Sequence, residues 1–580
     1  MTGRDGRAPP HPRPLVPSHA IRYRNPPAIH AAHSRNVRAS LGLEQAMNHR
    51  RPSPSNSINA SVPLSLLCVA LLAPLLGGCA GGPALLKPEE QVTIDRQFVE
   101  YPAATELKPC VLGLTAPSAI AFDNDGSMLI AESGIGGNTP RIFGFKKDGA
   151  RFDIYPHGAN LPELPRIAQL PIRLTRGFRL YPPIGGMVAA HGRIHVSHRD
   201  ENDRGVITAF AYDGTHTTII GDLPAQGDYS VTDLAVAGDG RLYFGLGAAT
   251  NSAVVGIDNI AWLREHRNAC DKPWGKLYLL GRRFDANNPF AGLFGGPDIA
   301  VTAPFQPFGK SLETVIPPAE NAKPNAAIYS IDPSGGDLRV EAHGIRHPVG
   351  LAFSELGVLY VTNQGMKLRG TRPVKDDPDV MLRIFQGQWY GWPDYSANLL
   401  PIRDPRFQPP VEMIIKSGYR DLSFLIDHES SGLTPPNAGS NLLTAEFKPL
   451  SGAAKLDFAP ASGPFARLRQ SGNVAIVALM GDRAPFDTGG LKLAGPTGYK
   501  VVQVNMDEHT VRDFIRNTRQ GPASQHDANT HCIERPIDVK FGPDGALYIL
   551  DFGRLEMRGA NEKVKPGTGK VYKLVGIAGK

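Results

Sequence analysis

A short β-hairpin pattern recurs along this chain and restricts the folds that are open to it. In its clearest copy, apolar segments at 349–353 and 358–362 flank a turn that contains Gly357. Comparable segments recur five more times along the chain, at 117–132, 186–197, 231–245, 454–479 and 535–551. Glycine and Asp-Gly turns between apolar segments are typical of hairpins, because these residues tolerate the positive φ of a tight turn.

Further strand-like segments follow most of these hairpins, for example at 141–145 and 206–210. Four strands per unit and six units predict an all-β chain that folds as a six-bladed β-propeller over residues 110–575. The longest insertions fall between the second and third strands of a unit, at 251–325, 366–378, 481–497 and 553–566. In a propeller such loops share one face, so we expect them to surround one mouth of the central channel and to carry the function.

The distribution of charge argues against nucleic acid as a partner. The formal net charge is +7, but nine arginines and two acids lie in residues 1–51, and the remaining 53 basic and 53 acidic residues balance. A neutral propeller lacks the basic groove that a nucleic acid requires. The five cysteines form no C-x-x-C pair, so the sequence also contains no zinc-site pattern.

Two segments precede the predicted propeller. Residues 1–46 are rich in arginine and proline and nearly free of acids, which predicts either disorder or an extension upstream of a true start at Met47. Residues 47–79 have the order of a signal peptide, with basic residues, an apolar run at 62–76 and then small residues. We therefore expect the protein to be exported.

The signal-like segment ends in Leu-Gly-Gly-Cys79, which resembles a bacterial lipobox. This resemblance predicts a lipid on Cys79, a polar tether at 80–109, and a lipoprotein on the periplasmic side of the bacterial cell envelope, anchored in the outer membrane. The apolar run is short for a membrane span, so membrane association would come from the lipid. A hydrophobic segment with a chance cysteine is the alternative.

Three short sequences in the fourth unit point to a known family. They are Gly344-Ile-Arg-His-Pro, Thr362-Asn-Gln-Gly and Gly387-Gln-Trp-Tyr-Gly-Trp-Pro. With the rest of residues 110–575 they resemble the soluble glucose and sorbosone dehydrogenases, which are six-bladed propellers that use pyrroloquinoline quinone (PQQ) and calcium. The resemblance implies hydride transfer from a hydroxyl-bearing carbon of an aldose, a sorbosone-like sugar or a related alcohol to the quinone.

The same resemblance implies a set of cofactor residues. Arg346, Arg535 and Arg483 correspond to basic residues that contact the quinone in the family. The backbone carbonyls of Gly365 and Met366 correspond to those that bind calcium, and oxygen-only ligation of this kind suits calcium.

The catalytic positions depart from the family pattern. The family's Asp-His pair, whose His takes the sugar hydroxyl proton, aligns with Asp228 and Tyr229, and His347 stands where the family has Asn. A tyrosine with its ordinary pKa of about 10 is a poor base near neutral pH, so His347 is a second candidate for that role. Asp228 either orients the base, binds substrate or caps a turn.

This departure leaves two other functions open. One is a non-catalytic propeller that binds a glycan or a protein partner through the same mouth. The other is a calcium-dependent lactonase, although the sequence shows no convergent acidic cluster for it.

Three further groups have alternative interpretations. Cys110 and Cys532 each stand just before the first strand of a unit, the first and the last, which predicts a disulfide across the ring closure, with Cys270 as a rival partner. The aromatic residues of 389–392 form either a sugar-stacking surface or packing for the following loop. The acidic residues of 376–379 form either a calcium site or a solvated loop.

Overall fold

The computed structural model describes residues 82–157, 178–291, 297–310, 312–436, 441–491, 495–526, 532–559 and 561–577. Six antiparallel sheets of four or five strands dominate this part of the chain. Their innermost strands contact one another in chain order, and the innermost strand of the last sheet contacts that of the first. The chain is therefore the six-bladed β-propeller that the recurring hairpins predicted.

Blades one and two each consist of four consecutive strands. From the innermost strand outward, blade one comprises Pro117–Phe122, Met128–Glu132, Arg141–Phe145 and Arg151–Tyr155. Blade two comprises Tyr181–Ala190, Arg193–Arg199, Gly205–Phe210 and His216–Leu223.

Blades three and four carry the longest insertions. Blade three comprises Val231–Val236, Leu242–Leu246, Ala327–Ile331, Arg339–His343 and the parallel edge strand Gln388–Trp389. Blade four comprises Pro348–Phe353, Leu359–Asn363, Asp379–Arg383 and Leu443–Phe447.

Blades five and six include strands from the N-terminal part of the described chain. Blade five comprises Ala453–Phe458, Val474–Leu479, Lys500–Asn505, Thr510–Asn517 and Val99–Glu100. Blade six comprises Pro536–Phe541, Leu547–Asp551, Gly569–Gly576, Thr105–Leu114 and Ala84–Leu85. The ring is thus closed by pairing between the two ends of the domain.

Small elements occupy the insertions and connections. The two-stranded pairs are Leu277–Tyr278 with Val315–Ile316, Phe284–Asn287 with Ile299–Thr302, and Leu555–Arg558 with Asn561–Val564. The α-helices in the described ranges are Ile260–Glu265 and Val411–Ile414. Short 3₁₀ turns lie at Pro88–Glu90, Ile135–Gly137, Ile257–Asn259, Glu320–Ala322, Pro405–Phe407, Ile415–Ser417, Ala466–Ser471, Phe486–Thr488 and Ala523–Gln525. Among the described residues, no helix has the length and apolar character of a membrane span.

The segment at 80–109, predicted as a tether, is instead largely part of the domain where it is described. Thr105–Leu114 forms an antiparallel pair with Gly569–Gly576, and Leu107 lies opposite Leu574 in the core. Its partner strand is distant in sequence, and Pro109 and Gly113 interrupt the apolar pattern, so local reasoning missed it. Cys79 lies outside the described residues, and so do residues 1–46 and the signal-like segment, so those expectations stay predictions.

The predicted disulfide between Cys110 and Cys532 is not present. Both cysteines and Cys270 are free and buried. Cys110 packs with Val571 on one face of blade six, whereas Cys532 packs with Tyr572 on the other face. Since consecutive residues of a strand point to opposite faces, the blade itself separates the two thiols.

Buried charges on the innermost strands join the blades near the axis. Asp233 of blade three accepts a hydrogen bond from the Leu351 amide of blade four at 3.2 Å, and Asp538 of blade six accepts one from the Ile120 amide of blade one at 3.0 Å. The ammonium of Lys455, in blade five, lies 3.0 Å from Asp233 and 3.8 Å from Asp538. One lysine and two carboxylates therefore connect five of the six innermost strands.

Candidate active site

The predicted site residues come from matching positions in blades three to six. They either lead into the first strand of a blade or follow its second strand, and both positions lie at the same end of a propeller. The residues are Tyr229, Arg346, His347, Gly365, Met366, Arg483 and Arg535. Hydrogen bonds between these loops, such as that from Leu368 N to Asp487 O at 3.1 Å, show that they meet over the channel mouth.

Arg346 is buried, with 1% of its surface exposed. Its Nε donates to Asn251 O at 2.9 Å, and Nη1 donates to Gly365 O at 2.8 Å and to Gln364 O at 3.3 Å. Nη2 donates to the Tyr229 hydroxyl at 2.6 Å and to Asn251 Oδ1 at 2.9 Å. All five N–H donors are satisfied, yet every acceptor is neutral, and no carboxylate in the described ranges forms an ion pair with this guanidinium. The Asp377 carboxyl borders the same small gap and interacts with this charge without a direct ion pair, so the guanidinium remains only partly compensated.

His347 stacks on Tyr229, with ring centroids 3.7 Å apart and planes inclined by 20°. Its Nδ1 lies 3.3 Å from Gln364 Oε1, and Gln364 Nε2 donates to Ala453 O at 3.0 Å. Because the Gln364 oxygen can only accept, Nδ1 carries the imidazole proton and Nε2 is left as an acceptor. Burial, assisted by the charge of Arg346, holds the pKa of His347 well below its ordinary value.

Asp228 does not approach the stacked rings as a base-orienting residue would. Its carboxylate pairs with Arg369 and accepts a hydrogen bond from Asn259 Nδ2 at 2.9 Å. Arg369 also pairs with Asp258 and lies 3.7 Å from Asp487. Arg369, with Asp228 as one of its partners, therefore joins loops of blades three, four and five. The sequence pattern did not indicate Arg369, because its partners are far apart in the chain.

The predicted calcium ligands are engaged with protein groups. The Gly365 carbonyl accepts from Arg346, as described above. On the opposite side of this segment the Gly365 amide donates to Asp379 at 3.1 Å and the Met366 amide donates to Asp377 at 2.6 Å. A calcium ion needs six to eight oxygen ligands, and a positive guanidinium already contacts the Gly365 oxygen. These residues do not fit calcium at this position.

Of the acidic residues Asp376, Asp377 and Asp379, the first is exposed and pairs with Lys375, whereas the other two are buried and do not belong to a solvated loop. Asp377 and Asp379 are 2% and 0% exposed. Burial raises the pKa of Asp377 to about 7, although the hydrogen bonds from Met366 and Ala397 oppose the shift. Both carboxylates accept hydrogen bonds from backbone amides of the loop that follows the second strand of blade four, and these bonds fix its conformation.

Arg535 faces a second part of the site, a cavity of about 470 Å³ between blades five and six. It is 6% exposed, donates from Nη1 to Asp482 O at 2.9 Å, and lies with its guanidinium carbon 4.8 Å from the Tyr499 ring centroid. Its Nε is buried and has no hydrogen-bond partner among the described residues. An unpaired buried N–H is uncommon, and it leaves the Arg535 side chain with unused donor capacity.

The acidic groups of this cavity are already satisfied. Asp482 accepts from the amides of Ala484 and Thr497, both at 3.2 Å, and Glu534 accepts from the amide and the hydroxyl of Ser524. The uncommitted hydrogen-bonding capacity on Arg535 is therefore that of a donor, which suits an anionic or oxygen-rich ligand.

Arg483 lies across the mouth from the stacked rings. It pairs with Glu562, and its positive charge contributes to lowering the pKa of His347. Of the predicted cofactor residues, Arg346 thus lies beside the stacked rings, Arg483 affects the imidazole through its charge, and Arg535 borders the cavity between blades five and six.

The aromatic side chains of 389–392 are buried and pack against other core residues. Trp389 and Trp392 belong to the core beneath the long loop, and Tyr390 packs against blade four. This agrees with the packing alternative, since little of any of these rings is left exposed to a sugar.

Several solved structures are similar to this chain at low sequence identity. The PQQ domain of a pyranose dehydrogenase from Coprinopsis cinerea matches with 14% identity and a TM-score of 0.45, over 83% of this chain and 98% of that chain. The PQQ-bound aldose sugar dehydrogenase of Streptomyces coelicolor matches with 13% identity and a TM-score of 0.41, over 82% of this chain and 99% of that chain. An AA12 carbohydrate-active enzyme from Trichoderma reesei matches with 14% identity and a TM-score of 0.46, over 84% and 99%.

No family model matches the sequence, and no curated protein matches it either. At this level of similarity the solved structures assign no function to the chain.

Proposed function

We propose that this protein is a dehydrogenase of a sugar or a related alcohol, in which His347 accepts the hydroxyl proton and a bound quinone accepts the hydride. The observation that carries this proposal is the His347 imidazole, which is held neutral at the channel mouth with Nε2 as its acceptor nitrogen. The position that holds a base in the family is Tyr229 here, and the imidazole lies directly against that ring.

The surroundings of His347 suit a general base. Its low pKa keeps it unprotonated at neutral pH, and Gln364 and Tyr229 fix the plane of the ring. A base must be deprotonated and correctly directed before it can take a proton, and both conditions are met before a substrate arrives. The nearby charge of Arg346 would stabilise the negative charge that develops on the substrate oxygen.

An anionic quinone fits the arginines of the site. Arg535 has a spare buried Nε beside the 470 Å³ cavity, and Arg346 lacks a carboxylate partner. When bound, a quinone such as PQQ would supply the acceptor for the hydride of the substrate carbon, which carries the two electrons of the oxidation. Because the calcium positions do not fit a metal ion, the role of the chain is to bind the anion, to exclude water and to hold the proton on His347.

We also propose, from the Leu-Gly-Gly-Cys79 sequence alone, that a lipid anchors the protein on the periplasmic side of the outer membrane. A Cys79→Ser variant is expected to leave the membrane fraction, and its retention there would contradict the proposal.

Calorimetry of the full chain with PQQ, followed by dye reduction with a panel of aldoses and related alcohols, tests the dehydrogenase. We expect micromolar or tighter binding and turnover of at least one substrate. His347→Gln should lower kcat at least 100-fold, within the range of a lost general base, and leave cofactor affinity within threefold. His191→Gln, on an exposed turn of blade two, is the matched control.

The outcomes separate the candidate functions. Absence of quinone binding in every condition would contradict the dehydrogenase. Quinone or sugar binding without turnover would favour the non-catalytic alternative.

A further inference from the structure

The chain is fixed to the propeller almost as far back as the predicted lipid attachment site. Ala84–Leu85 pairs with Thr105–Leu114 and forms the edge strand of blade six. The next residue, Leu86, donates its amide hydrogen to Cys110 O at 2.8 Å. The segment that was expected to be a free tether is therefore bound to the domain from Ala84 onward.

Blade one holds the start of this segment from the other side. Leu85 packs against the apolar core between blades one and six. Arg151, on the outer strand of blade one, donates from Nη1 to Pro83 O at 3.2 Å. Gly82, the first described residue, therefore lies at the outer rim of the propeller, where these two blades meet.

Very little chain separates this rim from Cys79. Cys79 and Gly82 are three residues apart in the sequence. A fully extended chain of that length spans at most about 11 Å. A lipid on Cys79 would hold that residue at the level of the phospholipid headgroups. The rim of blades one and six would then lie close to the bilayer surface, because the linker is too short to hold the domain away from it.

The neighbouring surface of blade one can contact headgroups. The turn at 146–150, which joins the last two strands of blade one, lies beside Leu85. Its Lys146 and Lys147 are exposed, and lysines near a membrane are attracted to anionic lipids. The 3₁₀ turn Pro88–Glu90 on the same segment carries two exposed acids, so the short linker, more than net charge, sets this contact.

We propose that the outer rim of blades one and six, at Pro83, Lys146 and Lys147, is a membrane contact surface through which the propeller lies edge-on against the phospholipid bilayer. This inference rests on the proposed lipid anchor at Cys79 and adds the face of the domain that meets the membrane. Because the outer strands lie farthest from the axis, contact through them leaves the channel mouth beside His347 open to soluble molecules.

Spin labels on opposite rims test this contact. The lipidated full chain is reconstituted in vesicles of phosphatidylethanolamine and phosphatidylglycerol that contain a nickel-chelating lipid, which relaxes only labels close to the headgroups. Ala150→Cys places a label in the outer turn of blade one. Gly336→Cys is the matched control, because it lies in the corresponding turn of blade three, across the ring from blade six, and an added side chain there meets open space. We expect the relaxation enhancement at position 150 to be at least fivefold that at position 336.

The lysines of the wild-type protein give a second measurement that needs no label. Lys146 and Lys147 are acylated with a membrane-impermeant reagent and quantified by mass spectrometry relative to Lys310, an exposed lysine of the blade-three insertion. We expect this ratio to be at least threefold lower in vesicle-bound wild-type protein than in the Cys79→Ser variant in solution.

The outcomes separate the contact surface from the anchor. Equal relaxation at the two labelled positions of an anchored protein, or equal acylation ratios, would overturn the contact surface and leave the lipid anchor standing. Retention of Cys79→Ser in the membrane fraction, or a wild-type protein that never enters it, would overturn the anchor and this inference with it. If a labelled variant does not fold, the acylation ratios decide the question alone.

Discussion

At the scale of single residues, the contacts of Tyr229 decide whether Tyr229 or His347 is the better candidate for the base. If its hydroxyl were the base, the hydroxyl would have to ionise, and the neighbouring imidazole would only support the ring. In the structure the hydroxyl accepts from Arg346, and the ring stacks on His347, whose pKa is held low. This geometry leaves the Tyr229 hydroxyl hydrogen free to be donated and makes the ring a stacking surface for His347.

A Tyr229→Phe variant keeps the stacked ring and removes only the hydroxyl. We expect turnover at saturating cofactor to fall less than tenfold, while quinone affinity falls at least tenfold, since a charge-assisted hydrogen bond contributes about 1.5–3 kcal/mol. Steady-state kinetics and calorimetry measure the two effects separately. A loss of kcat as large as that of His347→Gln would instead identify Tyr229 as the base.

The sequence predicted part of this site because some of its residues stand beside a recognisable hairpin. Arg346 and His347 lead directly into the first strand of blade four, so their place at the mouth followed from the fold. Asn251 and Gln364, which hold the guanidinium and the imidazole, lie in ordinary polar loops. Their roles depend on contacts between blades, which a local pattern does not contain.

At the scale of elements, the innermost strands carry buried charges within mostly apolar segments. Asp233, Lys455 and Asp538 occupy the third position of their strands and face the axis. In the sequence they look like the solvent-facing residues of an alternating strand. Their role depends on the closed ring, because each of these charged side chains has its partner on another blade.

An Asp233→Ala variant removes the carboxylate that joins blades three, four and five. It leaves the Leu351 amide unpaired and Lys455 with Asp538 at 3.8 Å as its remaining partner. We expect a loss of about 3–5 kcal/mol in the free energy of unfolding, as is usual when one member of a buried ion pair is removed.

Urea unfolding followed by fluorescence measures this loss. Asp239→Ala, in the exposed turn of the same blade, is the control and should cost less than about 1 kcal/mol. Adding Lys455→Met to Asp233→Ala should recover part of the stability, because the buried ammonium that lost its 3.0 Å partner is then gone, while Asp538 keeps Lys540 at 3.8 Å. Equal effects of the Asp233 and Asp239 substitutions would contradict the axial network.

At the scale of the whole molecule, the hairpins predicted the number of blades but not how the ring closes. Each hairpin is local, so alternation and turn residues were enough to find it. Closure joins Thr105–Leu114 to Gly569–Gly576, a contact between the ends of the domain that no repeat unit contains. The same closure places Cys110 and Cys532 on opposite faces of blade six, which is why the predicted disulfide failed.

A Leu107→Ala variant tests whether this closing strand stabilises the propeller. Leu107 is fully buried opposite Leu574, so its truncation should cost about 2–5 kcal/mol in the free energy of unfolding. Lys108→Ala, the partly exposed neighbour that pairs with Glu106 at 2.6 Å, should cost less than about 1 kcal/mol. Denaturant unfolding compares the two variants. If residues 105–114 were only a tether, both substitutions would be neutral. An unchanged unfolding midpoint for Leu107→Ala would therefore show that this strand does not stabilise the closed ring.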